Sequence, residues 1–457
     1  MKRTVPNLLI AIIAFVVIVS VGIGGLVWWK TAPPPPMNAM PVLLAERERL
    51  QPPNGGEDAW PRYVALFQNT LSATRWHEFD ATYRGRVYEG EWDTLWELFH
   101  GDWDDPRLDP LRALYETQRP VLEAIVHATD AHACRAPIIF LPMQNQRIAG
   151  LPIDIADAPD GTQPAEVFLV HANELSGRLT NIVLIAMREA WEMGDIDLVS
   201  DLLTRALTIA NHIQMHPLGH SWMLGAQSEW RTLEQVRLGV LEHDLTADQA
   251  ERLREILSLK GIPISLRERL EVYGPIEADQ EAAWHAAQMT LNWRRPSDWL
   301  DIVREPGARD IRNATLRFAR RASTHADSPR RDRPAFLSYG HLTRAQLEYA
   351  ELFVQLVRTR DRLQTQRRGV NLLLRLERHH ALTGQWPAAL EDIMPREDTL
   401  DPNTLTPFVY ELTPDGPFPF SLAAPPEAAD FLPPDQRLFT QPRRPIDEQN
   451  LSIEVAP

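Results

Sequence analysis

A chain of 457 residues is about three times the length of a typical domain, so one to three domains are open to it. Hydrophobic residues at 44% and charged residues at 24% exclude wholesale disorder, and a net charge of −15 argues against a general nucleic-acid binder, which needs a basic face for phosphates. The single cysteine, Cys134, excludes an intrachain disulfide framework and any multi-cysteine zinc or iron–sulfur centre.

The first predicted element is a membrane span. Lys2 and Arg3 precede an uncharged run of 22 residues, Leu8 to Trp29, that Lys30 closes. As a helix it is about 33 Å long, enough for a hydrocarbon core of about 30 Å. Trp28 and Trp29 fall where an interfacial aromatic belt belongs. A cleaved signal peptide would have a shorter apolar stretch and a small-residue cleavage site, whereas this run ends in Trp-Trp-Lys-Thr-Ala and Pro33 to Pro36. The positive charges keep the N-terminus cytoplasmic and put everything after Thr31 outside. That portion carries 44 basic against 62 acidic side chains, a net −18, so the anchor rather than surface charge holds it at the bilayer.

The four prolines form a stiff spacer. Beyond them the apolar period is helical to about Asn292: a helix over Leu111–Val126 interrupted by Pro120, then one over Leu175–Met193 and one over Asp197–Ile213. Gly194-Asp195 between the last two is a stop followed by a new N-terminus, making an αα-hairpin with tetratricopeptide-like small-residue spacing. No second clean copy and no 34-residue period follow it. Further helices are expected at Ser221–His243, at Thr246–Ser258 with Thr246 and Gln249 as a capping box, and at Ser265–Tyr273 and Ile276–Asn292. Pro296 and Pro306 should each open a short helix, and Ser323–Pro334 reads as a solvated loop. A long helix from Thr343 to Thr383 comes next, and then a β-hairpin of Phe408–Leu412 with Phe418–Leu422. Of the 47 basic residues only Lys2, Lys30 and Lys260 are lysine, a bias read as genomic base composition.

The expected fold is therefore mainly α: a transmembrane helix, a helical-hairpin body and a small C-terminal α+β module. The division is tail and anchor over 1–30, Pro-rich spacer over 31–41, helical body over 42–335, long helix and module over 336–425, and a frayed Pro-rich tail over 426–457.

Three segments resemble uncharacterised single-span proteins of planctomycete-type bacteria. They are Thr117–Leu122 leading to Ala133-Cys134-Arg135-Ala136-Pro137, the Ile185–Ala210 hairpin, and Leu376–Ile393 followed by Asp401-Pro402 and Pro407–Tyr410. The third also resembles the globular end of pseudopilin-like proteins, with a long helix, a Gly-x-Trp-Pro turn, an Asp-Pro loop and a hairpin. The chain departs from that pattern after Phe420-Ser421 and lacks a pilin's Phe-Thr-Leu-x-Glu start. The resemblance implies no known activity.

Candidate chemistry is sparse. His212, His216 and His220 are spaced by four and would line one face of an unbroken helix, so His212 and His216 are the candidate metal ligands. Pro217 and Gly219 should break that helix and turn His220 away. His379 and His380 point about 100° apart on a helix, and one should pack near Trp386. Cys134 with His132 or His127 suggests a nucleophile, but a small thiol buried under a turn is the simpler reading. Asp102, Asp104, Asp105 and Asp109 lack the spacing of a calcium loop. Most tryptophans sit among Leu and Ala and are expected in the core. No cofactor motif and no catalytic constellation is present in the sequence. The expectation is a single-pass protein of a bacterial cell membrane, held in the lipid bilayer through Leu8 to Trp29, with its body as a scaffold for envelope proteins. The alternatives are an envelope hydrolase or metal-dependent enzyme, or a pseudopilin-like secretion component.

Overall fold

The computed structural model describes residues 39–52, 56–66, 109–136, 175–260 (except 218), 265–292, 307–328, 344–413 and 419–430, with short pieces near 21–25, 103–106, 140–141, 166–167 and 432–440. The predicted span and the four prolines lie almost wholly outside the described residues, among which no helix is long and apolar enough to cross a membrane.

The described chain is mainly helical. α1 (Ala39–Arg49), α2 (Trp60–Ala65), α3 (Asp109–Glu116) and α4 (Arg119–Thr129) precede a minimal antiparallel pair, β1 (Phe140–Leu141) with β2 (Glu166–Val167). After a π-turn at Leu175–Leu179 come α5 (Thr180–Glu192), α6 (Ile196–Gln214), α7 (Gly219–Glu242), α8 (Ala247–Lys260), α9 (Leu266–Asn292), α10 (Ala308–His325) and α11 (Arg344–Thr383). The chain closes with β3 (Val409–Leu412) antiparallel to β4 (Phe420–Ala423), Val409 opposite Ala423 and Leu412 opposite Phe420.

The hairpin of α5 and α6 forms where the sequence stops and restarts. Gly194 sits at φ +66°, a conformation that Gly adopts without strain. Its N–H donates to Trp191 O and the Asp195 N–H donates to Ala190 O, both at 2.9 Å, completing a Schellman motif. Asp195 then caps the next helix by accepting from the Leu198 N–H at 3.0 Å. α5, α6 and α7 lie side by side, and α11 runs across α7 and α8. At the α5–α7 crossing the Trp191 indole rests on Gly239, where a Cβ would come within 2.1 Å of the ring. The predicted capping box of α8 is present in both directions: Thr246 N–H to Gln249 Oε1 at 2.9 Å, and Gln249 N–H to Thr246 Oγ1 at 3.3 Å.

Five expectations need correction. The helices expected on either side of Pro275 are one helix, α9. The lost ladder bond would cost about 3 kcal/mol in an unsupported helix, but α9 lies along α10 in the most extensive helix pairing among the described residues. The short helix expected after Pro306 runs for 18 residues as α10, past Ser323 into the stretch read as a loop. Ile311, Thr315, Ala319, Ala322 and Ala326 form its buried stripe, small enough for close approach. The spacer expected to reach residue 41 gives way to α1 at Ala39. The body is not helical throughout, because Pro137 and Pro142 bracket the apolar run that supplies β1.

The fifth concerns the frayed tail. Leu432 and Phe439 are buried, the Phe439 N–H donates to Leu422 O at 2.8 Å, and the Ala424 N–H donates to Arg437 O at 2.7 Å. Phe439 fills the space over Gly369 of α11, so part of this stretch is built into the C-terminal module.

Candidate functional site

The long helix α11 carries two stripes. Leu356, Leu363, Val370, Leu373 and Leu374 are buried in the core. Beside them Arg360, Gln364, Arg367, Arg368, Asn371 and Arg375 recur at three- and four-residue steps and line a cavity of about 580 Å³. The opposite wall is α8, through Arg254, Leu257 and Ser258; Trp222 and Glu229 of α7 form the back, and Asp398 and Pro402 of the C-terminal module form a rim.

Five arginines and three acids line this cavity, and Glu251 and Asp361, paired with Arg254 and Arg360, bring the acids beside those arginines to five. Each acid already has partners. Glu229 accepts from Arg367 and, at 3.4 Å, from Gln214. Asp398 takes Arg368 Nη1 at 3.1 Å and Arg375 Nη2 at 3.3 Å. Asp327 sits on the first turn of α9, accepting from Ser265 Oγ at 2.6 Å and the Leu266 N–H at 3.2 Å. Arg360 reaches the backbone oxygens of Ala326 and Asp327. Arg254 presents its Nε edge to Glu251, which lines a second cavity of about 320 Å³ with Arg378 and His379. The hydrogen bond from Arg254, with the charges of Arg378 and Arg375, holds the Glu251 carboxyl below the ordinary glutamate range against the opposing effect of burial. Arg254 and Arg375 line both cavities.

The predicted site residues lie elsewhere. His212 is buried in α6 with Nδ1 2.9 Å from Tyr63 Oη, the rings meeting edge to face at 5.7 Å. The helix ends at Gln214, so His216 lies beyond it with Nδ1 3.1 Å from Ser221 Oγ, and His220 belongs to α7. Among the described residues no group of three or more His, Cys, Asp or Glu is gathered to hold a metal ion.

Burial pushes the Cys134 thiol up to about 12, so it is a packed side chain with no thiolate at neutral pH. Gln51 grips its peptide from both sides, donating to Cys134 O at 3.0 Å and accepting from the Cys134 N–H at 2.8 Å. His380 stacks on Trp386 with centroids 4.1 Å apart, while His379 lines the smaller cavity. Trp191 and Trp222 are buried; Trp76, Trp92, Trp96, Trp293 and Trp299 lie outside the described residues. Asp104 and Asp109 are described and Asp109 pairs with Arg112, whereas Asp102 and Asp105 are outside.

The arginine-lined cavity was missed because arginine abundance was read as base composition. The spacing Arg360, Arg367, Arg368, Arg375 was the available signal, since steps of seven return to one helix face. No family model, curated protein or solved structure matches this chain.

Proposed function

We propose that this chain is a membrane-anchored, extracytoplasmic interaction protein, tethered by Leu8–Trp29 and presenting a tetratricopeptide-like helical body to envelope proteins. The observation that supports the reading is the packing of α5, α6 and α7 on one another, with α11 lying across α7. The uncharged N-terminal run and its flanking charges support the tether.

Membrane fractions washed with alkaline carbonate should retain the protein, and added protease should digest the body from outside intact cytoplasmic membranes. A mild-detergent pull-down should then bring down the same envelope proteins at fixed stoichiometry. Release by carbonate, or a body shielded from protease, would overturn the tether; a protein that repeatedly purifies without partners would overturn the scaffold role. The order of α11, the Gly384 turn, the Asp401 loop and the β3–β4 hairpin favours a second reading, a pseudopilin-like secretion component, for which the captured partners would be those of a secretion platform.

A further inference from the structure

We propose that the cavity between α7, α8, α11 and the C-terminal module binds a small organic oxyanion: a carboxylate or phosphate group on an apolar body. This holds whether or not the protein is tethered to a membrane.

Size comes first. The cleft is half open to solvent, and its volume of about 580 Å³ falls in the range of small-molecule sites, roughly 300–1,000 Å³. Charge comes second. Carboxylates hold the lining arginines in place, Glu251 on Arg254, Asp361 on Arg360, Glu229 on Arg367 and Asp398 on both Arg368 and Arg375, which gathers five guanidiniums around one cleft.

Donor geometry is the third ground. Each guanidinium carries five N–H donors in a plane suited to carboxylate and phosphate. Arg368 uses Nη1 for Asp398, Arg254 uses Nε and Nη2 for Glu251, and Arg375 uses Nε for Asn371 and Nη2 for Asp398. These bonds fix the side chains in place and leave Nη1 of Arg254, Nη1 of Arg375 and the Nε edge of Arg368 as donors for a ligand.

Trp222, Leu257, Leu363 and Pro402 supply apolar wall between the charged groups, which selects an anion with an apolar part over a bare inorganic ion. The overall charge of −15 repels long polyanions, so the class is small molecules.

The test is calorimetric titration of the full chain in detergent with phenyl phosphate as probe, alongside phenol and inorganic phosphate. One site is expected for phenyl phosphate, weakening as salt is raised and binding more tightly than either fragment. Arg254→Gln should weaken it about tenfold or more, the effect of losing a charge-assisted hydrogen bond, whereas Arg267→Gln, in an exposed pair with Glu271, should not. If Arg254→Gln fails to fold, Ser258→Glu gives the same reading, because it adds a carboxylate at an exposed lining position. No heat at millimolar probe, phenol binding as well as phenyl phosphate, or equal affinity in the folded variants would each overturn the proposal.

Discussion

Glu377 on α11 is the carboxyl most clearly at odds with its surroundings. Burial, and after it the charge of Asp244, pushes it up to about 7. Between the ordinary glutamate range near 4.5 and about 7, the native protein keeps a proton that the unfolded chain has released, so stability falls as pH rises through that window. Glu377→Gln should remove this loss, leaving the variant more stable than the parent at pH 8 by about 1–3 kcal/mol and little changed at pH 4. Melting curves at both pH values check this, and a difference that does not depend on pH would refute it. Asp401 is fully buried and well partnered. It accepts from the Asn403 N–H at 2.9 Å, from the Thr404 N–H at 2.7 Å and from Thr365 Oγ1 on α11. Asp401→Ala strands those donors and should cost about 2–4 kcal/mol, with faster amide exchange over residues 399–412 and unchanged protection in α5–α7. The Asp-Pro motif that marked this loop was visible as a pattern; its reason, a carboxylate closing the loop onto α11, needed the fold.

Elements whose ends are set by neighbouring residues were the most legible. The Gly194-Asp195 corner, the Thr246–Gln249 box and the β3–β4 hairpin depend on residues only a few positions apart, and the sequence placed each. Elements decided by distant packing were not. Pro275 reads as a break until α10 is known to lie alongside, and Ser323 reads as loop until the small stripe of α10 meets α9. Gly239 shows how far such contacts constrain a helix. In Gly239→Ala the new methyl would collide with the Trp191 indole, and the expected cost is about 1–3 kcal/mol. Adding Trp191→Phe should recover part of that loss, and denaturant titration of the double-variant cycle measures the coupling. Strict additivity would show that this crossing is not the cause.

At the scale of the whole molecule, a polar stripe on a helix ordinarily faces water. The spacing of Arg360, Arg367 and Arg368 therefore marks one face of α11 but not what lies opposite it. Only the approach of α8, of α7 and of the turn holding Asp398 supplies the other walls. The arginine bias likewise looks uniform along the chain, yet Arg188 and Arg269 lie inside the protein and five others line one cleft. The packing of Phe439 bears on synthesis as well as on shape. Arg237 of α7 reaches the carbonyl of Phe439 at 3.5 Å across 202 positions of sequence. At the usual elongation rate of roughly 5–20 residues per second, α7 leaves the ribosome about 10–40 s before the ring that seals it against α11. Until then the place over Gly369 that Phe439 fills stays open, so the module closes only when the chain is nearly finished.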